Sequence, residues 1–472
     1  MNRREFLGLS AVTSIFLLTG CGGGSNSGSN LSNLSESSKK LPIPTLLRGV
    51  DKNGVKHYDL TINRAKHSFF DNVKTDTYAF GGQTFLGPTI LLENGDDVSI
   101  NYKNNLGEAT TVHGHGMHVP AVMDGAAHQP IATGTTWSAQ YRVNQEACTN
   151  WYHPHYMGKT AEHVYMGLAG LIIIEDATSK ALDLPKRYGE DDIPLVLQDR
   201  IFSSSGQLDY SPSRREKMHG YIGDVAITNG AIEPYIDVEN KEIRFRILNG
   251  SNASVYSLGF ENGKTFKQIA TDNSFLEAPV SLSRVTLSPA ERAEIVVDLS
   301  RDYGSNFVLK DFNSGKKFLE IKVSKSATAQ TTIPNHLISL SHLNLSDAVN
   351  TRRFVLNHNG MNLQINGKSM DMNRIDENVP LNQVEIWDVE NSMGMNHNFH
   401  IHATHFEIIE RNGGSVADNE KGYKDTVYLA PNDKVKLIVK MTDYTDSTNP
   451  YMYHCHFLEH EDGGMMGQFV VI

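Results

Sequence analysis

The chain has 472 residues, enough for about three domains of ~150 residues, each able to bury its own core. Its hydrophobic content of 39% and its charged content of 21% are those of an ordinary globular protein. The formal net charge of −11 argues against a nucleic acid as partner, because the phosphate backbone would repel such a chain.

The N-terminal segment resembles an export signal. Arg3 and Arg4 open a stretch that resembles a twin-arginine signal, and the apolar run after them is too short to span a bilayer as a permanent helix. Residues 18–21 resemble a bacterial lipobox, in which Cys21 would carry the lipid. We therefore expect a periplasmic protein that is anchored to a membrane through Cys21. A plain secretory signal, with a chance arginine pair and a chance cysteine, is the alternative.

An apolar alternation returns at a domain-sized interval. Apolar residues occupy every second position around Val98, Ile243 and Val384, which lie 145 and 141 residues apart, as half-buried strands require. Proline-containing turns at 287–291 and 429–433 each lead into a further apolar strand. Short strands separated by Gly, Pro and Asn-Gly turns are typical of all-β sandwiches. The predicted division is a signal peptide 1–20, a flexible tether 21–40, and three domains at 41–178, 179–325 and 326–472.

Four His-x-His pairs follow in the chain, two in the first domain and two in the last. They are His113 and His115, His153 and His155, His400 and His402, and His454 and His456. Each pair has the spacing that puts both rings on one face of a strand. One such pair is weak evidence, since a surface strand or a satisfied core also produces it. Four pairs favour a metal centre between the first and last domains, with the second domain as a spacer.

The last twenty residues add a thiol to this pattern. Cys455 lies between the two histidines of the fourth pair, and His460 and Met465 follow it by five and ten residues. In an extended segment Cys455 points away from its two neighbours, so the run can serve two sites. Thiolate, imidazole and thioether ligands suit copper, and a His2Cys site with a weak axial methionine is the blue-copper arrangement. His397 is the natural fourth ligand, and a solvated histidine-rich C terminus is the alternative.

These segments make the chain similar to the multicopper oxidases. All four family motifs are present in the family's order, at 113–116, 151–155, 397–402 and 454–465. The resemblance implies three tandem cupredoxin-like Greek-key β-sandwich domains. Among members of the family, the chain looks most like the laccase-like bacterial periplasmic cuprous oxidases. One departure is Asn398, at a non-ligand position where the family usually has proline.

The resemblance also implies four coppers and their ligands. The type 1 copper would be held by His397, Cys455, His460 and Met465. The type 2 copper would be held by His113 and His400. The type 3 pair would be held by His115, His153, His155, His402, His454 and His456. The implied reaction couples four one-electron oxidations of a small substrate to reduction of O2 to two waters, in keeping with a role in copper tolerance.

Two acidic residues are candidates for proton supply. Asp124 lies eleven residues after His113, and Glu461 directly follows His460. Both resemble acids that serve as proton relays in the family, and acid–base groups beside the cluster are the expected donors. The alternatives are a turn-forming role for Asp124 before Gly125 and a solvated surface position for Glu461.

The reducing substrate is left open between phenolic or aromatic donors and cuprous ion. Met393 and Met395 precede the third motif and could offer soft sulfur to Cu(I), although methionine more often fills core gaps. The chain lacks the methionine-rich insertion of many cuprous oxidases and their acidic residue before this motif. We therefore expect electrons to enter at an exposed edge of His397 or His460, with both substrate classes oxidised.

A non-enzymatic copper-binding protein or a cell-division scaffold of the same fold is the competing class. Some relatives keep the fold, lose most ligands and act in cell division, whereas this sequence keeps every ligand. The expected partners are therefore O2 and a small reductant, with a monomer favoured. Cys148 has no expected disulfide partner and is predicted to be a buried small hydrophobe.

Overall fold

The computed structural model describes residue 34 and residues 38–472. The predicted signal peptide, the lipid-bearing Cys21 and most of the tether lie outside the described residues. Within the part of the chain that is described, no helix is both long enough and apolar enough to cross a membrane.

The first group of strands forms two five-stranded sheets. Its strands are β1 (Leu46–Arg48), β2 (Val50–Lys52), β3 (Val55–His67), β4 (Thr75–Phe80), β5 (Thr89–Glu93), β6 (Asp97–Asn105), β7 (His113–His115), β8 (Thr136–Arg142), β9 (Cys148–His153) and β10 (Gly170–Glu175). One sheet has the order β1-β5-β10-β9-β7, and the other has β2-β3-β6-β8 with β4 paired to β3. Two short helices accompany them, α1 (Thr160–Tyr165) and α2 (Ala177–Ala181).

The second group contains a seven-stranded and a five-stranded sheet. Its strands are β11 (Asp192–Arg200), β12 (Val225–Thr228), β13 (Ala231–Ile232), β14 (Tyr235–Glu239), β15 (Glu242–Asn249), β16 (Tyr256–Phe260), β17 (Phe266–Ala270), β18 (Phe275–Leu282), β19 (Val285–Leu287), β20 (Arg292–Asp298), β21 (Asn306–Asp311) and β22 (Lys317–Lys325). The sheet orders are β13-β12-β11-β15-β20-β17-β18 and β14-β22-β21-β16-β19. Helix α3 (Arg214–His219) lies in the connection from β11 to β12.

The third group again has two five-stranded sheets. Its strands are β23 (Ala348–Asn359), β24 (Asn362–Ile365), β25 (Glu377–Val379), β26 (Val384–Asn391), β27 (His397–Ile401), β28 (Phe406–Arg411), β29 (Thr426–Leu429), β30 (Lys434–Lys440), β31 (Asp446–His454) and β32 (Met466–Val471). The sheet orders are β24-β23-β26-β30-β28 and β25-β32-β31-β27-β29. Helix α4 (Leu458–Asp462) connects β31 to β32.

Each pair of sheets encloses its own apolar core, as a β-sandwich requires. Non-consecutive strands are neighbours within every sheet, which is typical of Greek-key connections. The predicted all-β class is therefore confirmed. The strands predicted around Val98, Ile243 and Val384 are β6, β15 and β26. The predicted boundary after residue 178 falls within α2, and the domain boundaries themselves stay a prediction.

Strand β15 has the predicted alternation of apolar residues, but both of its faces are buried. Ile243, Phe245 and Ile247 point into the core of the second group. Arg244 and Arg246 on the opposite face are also buried, because they pair with Glu294 and Arg246 additionally donates to Thr149 of the first group. The second group is thus joined to the first through buried polar contacts to Thr149 as well as through an apolar cluster that contains Phe69 and Trp151 of the first group and Phe202 of the second.

Candidate metal centre

Strand pairing brings the four His-x-His pairs together two by two. β7 pairs with β9 so that His113 lies opposite His153. β27 pairs with β31 so that His400 lies opposite His454. The register of two short antiparallel ladders therefore places each pair beside a second one.

The histidines of the first group of strands stack against those of the third group where the two groups are in contact. His113 stacks on His402 with ring centroids 4.0 Å apart, and His115 stacks on His400 at 3.8 Å. Nε2 of His454 lies 3.1 Å from Nε2 of both His155 and His402, and Nε2 of His456 lies 3.3 Å from Nε2 of His153. All eight predicted imidazoles thus line one small space, and all are buried.

Hydrogen bonds at the outer nitrogens orient these rings. Nδ1 of His113 donates to the carbonyl oxygen of Asp124 (2.7 Å), and Nδ1 of His400 donates to that of Asp425 (2.9 Å). Their Nε2 atoms are buried and have no hydrogen-bond partner within the described residues. Such an outer bond is what orients a metal-binding histidine, and buried nitrogens are otherwise rarely left unpaired.

His115 is turned the other way from the rest. Its Nε2 lies 2.9 Å from the Asp425 carboxylate, and its Nδ1 is the buried nitrogen without a hydrogen-bond partner in the described part of the chain. Three buried donors hold that carboxylate in turn: Arg292 reaches it with two nitrogens, at 2.8 and 2.6 Å, and Oγ1 of Thr426 donates to it at 2.8 Å. The donor set as a whole fits copper. Each ring points one nitrogen into the shared space, where that nitrogen either has no hydrogen-bond partner or lies close to a nitrogen of a neighbouring ring.

Burial favours, for seven of these imidazoles, the neutral form that a metal needs. Desolvation is the largest cause, and the neighbouring rings add to it. The pKa of His402, for example, is lowered to about 3 even though Asp124 raises it in part. The histidines whose pKa is lowered in this space are His115, His153, His155, His400, His402, His454 and His456.

A second site lies on the other side of residues 454–456. Sγ of Cys455 is 3.4 Å from Nδ1 of His397 and 3.6 Å from Nδ1 of His460. The two Nδ1 atoms lie 3.2 Å apart. Met465 is buried in the same apolar core, and its carbonyl oxygen accepts from the Cys455 backbone N–H (3.1 Å). Burial raises the pKa of Cys455 to about 12, so a metal must displace its proton.

The alternation expected of the run is present, although strand β31 ends at His454. Cys455 faces His397 and His460, whereas His454 and His456 face the histidines of the first group. Adjacent residues of one backbone therefore belong to two separate sites.

The expected exposed imidazole edge is wrong. His397 and His460 are both fully buried. Nε2 of His460 donates to the carbonyl oxygen of Met218 in α3 (3.1 Å), so a helix of the second group covers the thiol site. The second group is therefore more than a spacer, because it supplies the cover of one site and Arg292 to the other.

A cavity of about 930 Å³ opens on the outer side of this cover. Met218, whose carbonyl oxygen accepts from His460, is one of the residues that line it. Tyr210, Pro212 and Leu363 contribute apolar surface, and Met361, which is 58% exposed, lies at the rim. Met393 does not reach this cavity: it is 4% exposed and packs in the core of the third group.

Both predicted acids lie beside the histidines. Oδ2 of Asp124 is 2.7 Å from Nδ1 of His402, and Oδ1 is 3.4 Å from Nδ1 of His113. Burial by itself raises the pKa of Asp124, but the two nearby imidazoles lower it by more, so the net pKa lies well below the ordinary value. A turn-forming role alone does not account for a carboxylate in this position.

Glu461 is buried as well, so a solvated surface position is wrong. Its two carboxylate oxygens lie 3.5 Å from Nδ1 of His155 and 3.4 Å from Nδ1 of His454. Neither oxygen has a hydrogen-bond partner among the described residues. Burial, and after it the charge of Asp462, raise the pKa of Glu461 well above the ordinary value.

The site also contains three residues that no sequence motif identified: Asp425, Arg292 and Gly116. Asp425 contacts His115 through its carboxylate and His400 through its carbonyl, yet no His-x-His motif contains it. Gly116 has a φ of +79°, and a side chain there would meet Asp425 and Arg292. Its position directly after His115 was the one available signal. Cys148 is buried in the core of the first group, as predicted.

Comparison with known proteins agrees with this geometry. A family model described as multicopper oxidase matches residues 61–179, and another of the same description matches residues 341–472. The chain is 37% identical to the multicopper oxidase mco of Staphylococcus haemolyticus, over 93% of this chain and 94% of the relative. It is 34% identical to the cell division protein FtsP of Photorhabdus laumondii, over 92% of each. A crystal structure of a multi-copper oxidase from Pediococcus acidilactici superposes with a TM-score of 0.87 at 33% identity, covering 93% of both chains.

Proposed function

The chain belongs to the multicopper oxidase family, and we propose that it couples oxidation of a small donor to reduction of O2. Four donor molecules would each lose one electron, and one O2 would take up four electrons and four protons to give two waters. The observation that carries the proposal is the run 454–456, in which Cys455 faces one site and both of its neighbours face the other. A donor site and an O2 site on one backbone need no mobile carrier between them.

The donor set fits four coppers, as the family implies. One would be held by His397, Cys455, His460 and Met465, one by His113 and His400, and two by His115, His153, His155, His402, His454 and His456. Bound copper would supply one-electron redox chemistry at the thiol site and O2 binding and reduction at the histidine cluster. The protein's own contribution is orientation, since carbonyl oxygens and the Asp124 and Asp425 carboxylates hold the outer nitrogens.

Asp124 and Glu461 would handle the protons that the reaction consumes. Each carboxylate is buried and lies within 3.5 Å of ring nitrogens of two cluster histidines. An acid–base group in that position can hold or pass a proton without a diffusing hydronium ion.

The donor would bind in the cavity over Met218 rather than on an open imidazole edge. From there the route for electrons to the thiol site is short, since the Met218 carbonyl oxygen accepts a hydrogen bond directly from His460. The lining is mixed, and the Tyr210 ring and Leu363 within it suit a phenolic or other aromatic donor. Cu(I) would find the Met361 thioether at the rim and is proposed as the weaker substrate.

A non-enzymatic scaffold is the second candidate, because the chain is also similar to proteins named as cell division protein FtsP. Buried nitrogens without hydrogen-bond partners argue against it, since a scaffold would gain stability by pairing or replacing them.

The location is part of the same proposal. The enzyme would be exported to the periplasm through the Arg3-Arg4 signal and held to a membrane by a lipid on Cys21, where it would act in copper tolerance.

Copper content, colour and O2 uptake test the proposal together. The purified, copper-loaded chain should contain four coppers, absorb strongly in the visible from the Cys455–copper bond, and consume one O2 per four molecules of a methoxyphenol. A copper-loaded, oxidised protein without the visible band would contradict the thiol site. A blue protein that consumes no O2 with the phenol or with Cu(I) would favour the scaffold.

The location is tested by a separate variant. Cys21→Ala should move the protein from the membrane to the soluble periplasmic fraction.

A further inference from the structure

The cavity outside the thiol site carries charge of both signs. Three acidic and three basic side chains line it, namely Glu162, Glu459 and Asp462, and Lys159, Arg214 and Lys217. A lining with equal numbers of each sign would not by itself select a donor molecule by charge. The selection depends on which of these six groups already have partners within the protein.

Two of the acids bind donors of the chain itself. Oε2 of Glu162 pairs with Nζ of Lys159 at 2.7 Å, so these two charges compensate each other. The two carboxylate oxygens of Asp462 accept from the backbone N–H groups of Thr160 and Ala161, each at 3.0 Å. Hydrogen bonds to a carboxylate offset part of its negative charge, so less of that charge acts on a ligand in the cavity.

The third acid, Glu459, is 4% exposed. One of its carboxylate oxygens accepts from Nδ2 of Asn252 (2.8 Å) and from the Tyr210 hydroxyl (3.3 Å). The other oxygen accepts from the backbone N–H of Tyr221 (3.0 Å). Three donors therefore satisfy a carboxylate that presents almost no surface to a ligand in the cavity.

Arg214 and Lys217 are the charges of this lining that have no ion-pair partner in the described part of the chain. Both are exposed and lie three residues apart on α3, so they share a helix face with Met218. Arg215 lies between them in sequence and does not line the cavity. The helix that covers His460 therefore presents two cations to the cavity beside Met218.

We propose that this cavity selects phenolic donors that carry a carboxylate, which Arg214 and Lys217 bind while the phenol ring lies toward Met218. A guanidinium can hold a carboxylate through two parallel N–H bonds, and a charged cleft concentrates ligands of the opposite sign. The inference rests on the proposed function and names its substrate class. The reaction stays the same: four phenols give four phenoxyl radicals, their electrons and hydroxyl protons reduce one O2 to two waters, and the carboxylate is unchanged.

Syringate and its methyl ester test the charge, since the two phenols differ in the ionised group and share the ring that is oxidised. At about pH 6 the carboxylate is ionised and the phenol is neutral. In the copper-loaded chain, Arg214→Gln combined with Lys217→Gln should raise KM for syringate about 10-fold and KM for the ester less than about twofold, since two partly solvated ion pairs are lost with syringate alone. The kcat for each donor should stay at the wild-type value.

Arg215→Gln is the matched control, because it removes a charge from the same helix but not from the cavity lining. It should leave both KM values unchanged. An equal effect of the double variant on the two donors overturns the proposal. If the double variant does not hold copper, the wild type is tested with added NaCl, which should raise KM for syringate and not for the ester; equal salt dependence overturns the proposal.

Failure of the proposed function has a different signature, since a blue wild type would then oxidise neither donor. Calorimetric binding of syringate and of the ester to the same proteins then tests the charge preference alone. Tighter binding of syringate that is lost in the double variant supports the assignment of Arg214 and Lys217, and equal binding of the two compounds overturns it.

Discussion

The two faces of residues 454–456 differ in how much of the chain each needs. The partners of Cys455 all come from residues 397–465, so one sandwich builds the thiol site. The partners of His454 and His456 include His155 and His153, which lie about 300 residues earlier. A site formed within one domain depends on the packing of that domain, whereas a shared site depends also on how two domains meet.

The surroundings of the two faces differ in the same way. Apolar side chains of the third core enclose Cys455, among them Phe457 and Met465. Buried charges enclose the histidine cluster, with Arg292 of the second group bound to Asp425 of the third and to Asn150 of the first. Dispersion and burial stabilise the first site, and a satisfied ion pair stabilises the second, so different substitutions should damage each.

The largest expected effect is on the thiol face alone. Cys455→Ser should abolish the visible band and donor oxidation while the protein keeps three coppers, because the eight imidazoles do not depend on the thiol. Copper analysis and absorption measure this directly. Cys148→Ser is the matched control, since Cys148 is also buried but contacts no cluster histidine in the described structure; it should stay blue. Loss of all four coppers from Cys455→Ser would mean that the faces are not separable.

Gly116→Ala should damage the shared face and spare the other. An added Cβ would lie 2.5 Å from Oδ2 of Asp425 and 2.6 Å from Oδ1 of Asn150, at a φ of +79°. Displacing a buried charge pair costs about 3–5 kcal/mol, so we expect a lower unfolding midpoint and weak copper retention in the cluster while the blue band persists.

Gly134→Ala is the control for this change, because it has a φ of +80° with open space around the added Cβ. It should lose only the backbone term, about 1–3 kcal/mol, and retain four coppers. Equal copper loss in the two variants would show that backbone strain, not the Asp425 contact, controls the shared face. Denaturant unfolding and copper analysis measure both outcomes.

A smaller effect is expected when only proton supply is removed. Asp124→Asn and Glu461→Gln should leave the blue band intact and slow reoxidation of the reduced protein by O2, by about 100-fold for the more important acid. Stopped-flow return of the blue band measures the rate. Asp418→Asn is the control in the third group, since Asp418 pairs with Lys421 at the surface and contacts no cluster histidine in the described part of the chain. Wild-type reoxidation in both acid variants would exclude the relay.

The smallest effect concerns the methionines. Met393→Leu keeps volume and polarity in a packed core, so it should cost less than about 1.5 kcal/mol and leave Cu(I) oxidation unchanged. Met361→Leu should slow Cu(I) oxidation without changing phenol oxidation, because it removes the exposed thioether at the rim of the cavity. Steady-state rates with the two donors compare them. A loss of Cu(I) oxidation in Met393→Leu would mean that the Cu(I) substrate reaches the thiol site through the core of the third group.

Local spacing was enough to identify the strands and the histidine pairs. Apolar alternation around Val98, Ile243 and Val384 identified β6, β15 and β26, because a strand's period of two is a property of the chain itself. The same period put Cys455 on the face opposite to its two neighbours. These features need no knowledge of distant contacts.

Only the tertiary structure decided what covers and supports the sites. Nothing in the sequence near 218 indicates that its carbonyl bonds to His460, and nothing near 292 indicates that its guanidinium holds Asp425. Both contacts join residues more than 100 positions apart, so they depend on how the three sandwiches pack rather than on local periodicity. The sequence therefore determined which side chains can bind copper, and domain packing decided which of them are closed off from solvent.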